Sequence, residues 1–361
     1  MRKNVLAGVL AVAMGASLIT GCGGKETGQK AEQKTEQKTE QKAEKEETKT
    51  EEKKELTKII VTEPVREIMW APVFAADALG YFEEEGLEVE VKAVQGESIP
   101  APVLAGDAQI GLWGPEMPCK FVTDGQDIQL FYSCTDKYPY SFFMTKGLKD
   151  IKELKGATIN AAHVGGAPRA FVRTVLKNAG LDPDTDATYI HVNNSAVLTA
   201  LDSGEIKATY ASPSLRTSLI EAGYEVCMDI YDEEVHNTLI GTDGYPGYIC
   251  FAKKSYMEEN PQIIQGFTNA CYKAAQYLED SSAEDIAAIL KDSFTEMTNL
   301  EQVVKECKEH SVWNATGQFS EEGVEAINRM AMESGLIEKP VSKEQLVNAT
   351  FAETAEQRFK K

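Results

Sequence analysis

Beyond residue 56 two kinds of apolar pattern take turns along the chain. Short runs read as strands: Ile59 to Thr62, Ile110 with Leu112, Ile128 to Ser133, Ala157 to Ala162, two more near Tyr189 and Ala208, and a last one from Tyr248 to Ala252. Leu87, Val89 and Val91 alternate with Glu88, Glu90 and Lys92, the period-two signature of a strand with one polar face. Between the runs apolar residues return every three or four positions, as on a helix with one buried stripe. Pro72 opens one such segment, which ends at Gly80. Ser98 to Ala105 is a second, closed by Gly106. A third follows the turn Gly165-Gly166-Ala167-Pro168 and carries Phe171, Val172, Val175, Leu176 and Ala179 on one face, with Gly180 as its cap. Everything past Asn260 reads as helix, beginning with Ile263, Ile264, Phe267, Cys271, Ala274 and Leu278 on one side. Strand–helix alternation predicts an α/β fold of parallel-rich sheets with helices on both faces. About 300 residues suit two lobes better than one.

The first 55 residues follow neither pattern. Arg2 and Lys3 precede an apolar run from Val5 to Leu18, too short for the ~20 residues a bilayer span requires. A charged start, a short apolar run and small residues at its end make a secretory signal, expected over residues 1–21. From Gly23 to Glu55 almost nothing is apolar, and lysine and glutamate each recur every four positions, at Lys30, Lys34, Lys38 and Lys42 and at Glu32, Glu36, Glu40 and Glu44. Residues four apart are neighbours on a helix, so the repeat would stack like charges. With no apolar face to bury, residues 22–55 are expected to be a solvated tether.

Charge narrows the partners. The chain carries −20 in all and its first 55 residues +1, which leaves −21 for the folded part. A domain so acidic suits no nucleic acid, where basic patches set affinity.

Two resemblances follow. Ile19-Thr20-Gly21-Cys22 is similar to the lipobox of bacterial lipoproteins, which implies cleavage before Cys22, acylation of its thiol, and anchoring on the outer face of the cytoplasmic membrane. Farther on, Pro72 to Glu90, with Leu79-Gly80-Tyr81-Phe82-Glu83-Glu84-Glu85-Gly86-Leu87 at its centre, resembles a signature of the binding proteins that serve ABC importers of nitrate, sulfonates, taurine and thiamine precursors. Leu104 to Gly111, Leu154 to Ile159 and Val197 to Ala208 resemble further segments of that family, in order. The resemblance implies a two-lobed, periplasmic-binding-protein-like fold of type II, closing on a small molecule. Lobe 1 is expected over residues 57–145 plus 249–361 and lobe 2 over 146–248, with crossing strands near Ser141 to Thr145 and Tyr248 to Ala252. It also implies a monomer that hands its ligand to an ABC permease and its ATPase, with no enzyme activity, cofactor or metal.

Ligands of such folds sit at the carboxyl ends of strands, where helix N-termini face them. The segments there are Arg66 to Trp70, Gly96 to Ser98, Trp113 to Glu116, Cys134 to Tyr138, His163 to Ala167, Asn193 to Ser195, Tyr210 to Ser212 and Asp243 to Tyr245. The candidate ligand contacts are Trp70, Trp113, Glu116, Tyr138, Gly165, Gly166, Arg169, Asn193, Tyr210, Ser212 and Tyr245. Trp70 and Trp113 are either flat walls for a ligand or plugs beneath a loop. Glu116 either accepts from ligand N–H groups or caps the helix after Pro115. Gly165 and Gly166 either offer N–H groups to an anion or make a tight turn. Arg169 either meets the ligand or is solvated. His163 suits hydrogen bonding better than metal binding, because the four histidines show no zinc-like spacing. The cysteines contain no Cys-x-x-Cys pair.

The expected ligand is a neutral or cationic heterocycle of the thiamine-precursor kind. Aromatic residues and the acceptors Glu97, Glu116 and Asp243 dominate the rim, against only Arg66, Lys137 and Arg169 as bases. An alkanesulfonate, taurine or nitrate is the alternative. Two other roles use the same fold: an enzyme making the thiamine pyrimidine, whose cysteine-rich iron motif is missing here, and a sensor for a signalling receptor.

Overall fold

The computed structural model describes residues 55–94, 100–164 and 166–360. The signal, Cys22 and the tether up to residue 54 lie outside them, as do Gly165 and the segment Gly96 to Ser98.

Among the described residues, ten strands form two five-stranded sheets. β1 (Thr57–Glu63), β2 (Leu87–Ala93), β3 (Ile110–Trp113), β4 (Gln129–Ser133) and β10 (Ile249–Ala252) make the first, in the order β2-β1-β3-β10-β4. β5 (Ser141–Met144), β6 (Ala157–Asn160), β7 (Ala187–Ile190), β8 (Ala208–Ala211) and β9 (Val226–Met228) make the second, in the order β7-β6-β8-β5-β9. The pairings β1–β2, β1–β3, β6–β7 and β6–β8 are parallel. One strand in each sheet opposes the rest: β10 runs against β3 and β4, and β5 against β8 and β9. This is the two-lobed, mostly parallel α/β architecture expected.

Two details differ from the sequence reading. Ser141 to Thr145 was expected as a crossing strand ending lobe 1, but Ser141–Met144 pairs along its length with Ala208–Ala211 and so is part of the second sheet. The chain passes between sheets through residues 134–140 and 229–248 instead. β9 and the helix Glu233–Ile240 carry too few regularly spaced apolar residues to have been read as elements.

Packing explains several of the sequence segments. Helix Ala71–Ala78 holds Pro72 in its first turn and stops before Gly80, whose φ of 72° lets the chain turn into Tyr81–Glu84. Phe82 then stacks on Phe267 of the long helix Pro261–Asp280, with ring centroids 5.1 Å apart. Gly111 on β3 lies opposite Phe251 on β10, and a Cβ there would meet the phenyl ring at 2.3 Å. That glycine is therefore fixed by sheet packing. The six described cysteines are all unpaired, and five are buried.

Candidate functional site

A cleft of about 650 Å³ opens between the two sheets, and aromatic side chains from both line it. Trp70 ends the short 3₁₀ turn Ile68–Trp70 that leads β1 into helix Ala71–Ala78. Its ring meets Tyr248 edge-on, with centroids 4.5 Å apart. Tyr248 reaches Tyr140, their hydroxyls 3.4 Å apart, and Tyr140 meets Tyr210 of β8 at 5.3 Å and 81°. With Trp113 at the end of β3, these rings form one wall across both sheets. Burial raises the Tyr140, Tyr210 and Tyr248 phenols above their ordinary range, so they remain protonated.

The opposite side is built from helix starts. Gly166, Asn193 and Ser212 each immediately precede a helix of the second sheet, at Ala167–Asn178, Asn194–Ser203 and Pro213–Glu221. The Ser212 hydroxyl does not cap its own helix. It donates to Glu67 Oε1 at 2.9 Å. His163 and His191 lie side by side at the rim, ring centroids 4.3 Å apart. Burial, and then His163 beside it, lower the pKa of His191.

Of the residues singled out in the sequence, Trp70, Trp113, Gly166, Asn193, Tyr210 and Ser212 line this cleft. Tyr138, Tyr245 and Glu116 lie in the layer behind it. Tyr138 packs on Tyr245 with centroids 4.6 Å apart and donates to the Ala167 carbonyl at 3.1 Å. The Tyr245 hydroxyl donates to Glu116 Oε1 at 2.6 Å, and burial pushes the Glu116 carboxyl up to about 7. Arg169 stands away from the cleft because its guanidinium lies over the Tyr189 ring, 3.8 Å from the centroid. Arg66 is drawn to Glu63 and the Phe74 ring, and Lys137 to the Asp243 carbonyl. Among the described residues, no lysine or arginine lines the cleft.

The sequence reading passed over Glu67, Tyr140, Tyr248 and the His163–His191 pairing. Glu67 lies inside the strand-end segment Arg66 to Trp70, in which Arg66 and Trp70 stand out by type. A further depression of about 660 Å³, lined by residues 144–152, 178–179, 223 and 225–227, lies on the second sheet, and none of these described residues is aromatic.

Two α/β lobes of this strand order around an aromatic cleft define the class: a periplasmic-binding-protein-like fold of type II. Within it the chain belongs to the NMT1/THI5-like family, which its residues 68–284 match. "Putative binding protein YtlA" of Bacillus subtilis is 27% identical over 309 residues, 82% of this chain and 90% of that one. Among solved structures, a protein of Bordetella bronchiseptica RB50 aligns with a TM-score of 0.75 at 20% identity, covering 85% of this chain and 99% of its own. The periplasmic nitrate-binding protein NrtA of Synechocystis PCC 6803 gives 0.68 at 12% identity, with 85% and 90% covered. A ligand-binding component of an ABC-type import system from Staphylococcus aureus gives 0.65 at 11%, with 83% and 99% covered. The desulfurization enzyme DSZB shares the fold too, at 0.57 and 13% identity, with 84% and 99% covered.

Proposed function

We propose that this protein is the solute-binding component of an ABC-type importer, working outside the cytoplasmic membrane as a monomer beside a permease and its ATPase. Its ligand is a flat, neutral or cationic aromatic heterocycle of the thiamine-precursor kind. The observation that carries this is the lining of the cleft: Trp70, Trp113, Tyr140, Tyr210 and Tyr248 on one side, and no lysine or arginine among the described lining residues. Flat apolar walls suit stacking, with a few polar groups to orient a ring. Among the described lining residues a desolvated sulfonate or nitrate would find no lysine or arginine to replace its water. Trp70, Trp113 and Tyr210 are the walls in this reading, and Gly166, Asn193 and Ser212 the polar edge. Tyr138, Tyr245 and Glu116 hold the wall in place from behind.

The test is a thermal-shift screen across thiamine precursors, flavins, alkanesulfonates, taurine and nitrate. A true ligand far above its dissociation constant raises stability by about 3–4 kcal/mol. A shift with sulfonates or nitrate alone would overturn the heterocycle while leaving the importer role standing. An enzyme reading, which the fold shared with DSZB keeps in view, predicts instead that the bound compound is consumed, which mass spectrometry of the recovered ligand detects.

Anchoring is part of the same proposal. Residues 1–21 act as the signal peptide, Cys22 carries the lipid, and the chain up to residue 55 spaces the lobes from the membrane. Mass spectrometry of the mature protein should find an acylated Cys22 at its N-terminus, and an intact, unlipidated N-terminus in the native host would refute this.

A further inference from the structure

Glu67 sits at the end of the chain leaving β1, on the first sheet's side of the cleft, and its carboxyl group is buried. Among the described residues, every side-chain donor that reaches it comes from the other lobe. Ser212 Oγ donates to Oε1 at 2.9 Å, Asn194 Nδ2 to Oε1 at 3.3 Å, and Ser214 Oγ to Oε2 at 3.4 Å. These donors belong to the starts of two helices, Asn194–Ser203 and Pro213–Glu221. One acidic side chain thus ties the first sheet to both helix starts of the second.

We propose that Glu67 is the latch that holds the two lobes closed. This rests on the two-lobed binding-protein reading but not on the identity of the ligand. The three hydrogen bonds exist only while the lobes are together, and in an opened cleft water would take their place. Among the described residues, the groups that face Glu67 leave it without a countercharge. They are the Tyr210 and Tyr248 phenols from β8 and the approach to β10, and the Cys307 thiol from helix Leu300–Glu309. Burial raises all three, the thiol to about 12, so each stays neutral over the physiological range.

A proton requirement follows. Burial pushes the Glu67 carboxyl up to about 7 when closed, against the hydrogen bonds from Ser212, Ser214 and Asn194, which favour the charged form. In the open form the group returns to the ordinary carboxylate range. Closure therefore takes up a proton. It is most favourable below the ordinary carboxylate pKa, weakens about tenfold per pH unit above it, and levels off past about 7.

Small-angle scattering of the purified full chain, without added ligand, at about pH 5.5 and about pH 8.5 tests this. The wild type should show a larger radius of gyration at the higher pH. Glu67→Gln keeps the hydrogen bonding without titrating, and should stay compact at both. Glu67→Ala should be open at both, and if it fails to fold the glutamine variant carries the test alone. A wild-type radius that does not change with pH, or a glutamine variant that opens as the wild type does, overturns the latch. The ligand screen is independent of either result.

Discussion

Trp70 and Tyr248 meet edge to face, with ring centroids 4.5 Å apart and planes at 69°, and the contact joins the end of a 3₁₀ turn to the start of β10. Trp70 is 1% exposed, and its indole Nε1–H has no acceptor among the described residues. A buried donor left unpaired costs about 1–3 kcal/mol, which a ligand acceptor would recover.

Trp70→Phe separates packing from that donor. Its ring keeps most of the contact with Tyr248, so the melting temperature should change little, whereas affinity for the ligand should fall about tenfold if the N–H serves it. Trp70→Ala should cost about 3–5 kcal/mol of stability as well. Isothermal titration beside thermal melts distinguishes the two, and a phenylalanine variant that binds as the wild type does would remove the indole N–H from the ligand contacts.

The buried Glu116 should make stability fall with rising pH. Its carboxyl is pushed up to about 7 by burial, with Tyr245 partly opposing this, so the folded state holds a proton that the unfolded chain releases near the ordinary carboxylate value. Its contribution is full below that value and is lost as pH rises through about 7, by about 3 kcal/mol at most. Urea unfolding should show less stability at about pH 8 than at about pH 5, and Glu116→Gln should flatten part of the decline. A decline unchanged in the variant would assign it to other groups.

Two glycines separate backbone strain from collision. Gly317 has φ of +72°, and a Cβ there would meet the Tyr132 ring at 2.0 Å. Gly106 has φ of +86°, and no described residue other than its chain neighbours comes within 4 Å of a Cβ placed there. Gly106→Ala should cost about 1 kcal/mol, the strain of a left-handed alanine, and Gly317→Ala several times that through displacement of Tyr132. Equal losses in chemical denaturation would contradict the packing around Tyr132.

Arg216 links helix Pro213–Glu221 to helix Leu300–Glu309. It reaches Asp229 at 2.6 Å and Glu306 at 3.0 Å, with only 12% of its side chain exposed. Arg216→Met leaves two carboxylates without their cation and should cost about 1–3 kcal/mol, discounted for the partial exposure of Asp229. Adding Glu306→Met should recover part of the loss. Strict additivity in this double-mutant cycle would mean that the ion pair carries no coupling.

The local elements were legible because each follows from near neighbours along the chain. The alternation of Leu87 to Val91, the stripe from Phe171 to Ala179 and the turns at Gly80 and Gly106 need only backbone geometry and one buried face. Trp70, Trp113, Asn193, Tyr210 and Ser212 could be placed at strand ends or helix starts for the same reason. Tertiary structure decided which of these groups face the cleft. Tyr138 and Tyr245 have the chemistry of a ligand wall, yet they close over Glu116 behind it, and Arg169 is taken by Tyr189. Ser141–Met144 joined the second sheet because strand order depends on pairing partners distant in sequence. Glu67 was the least legible. An acid beside Arg66 reads as a surface charge, and its burial and its partners Asn194, Ser212 and Ser214 exist only once two separately built lobes meet.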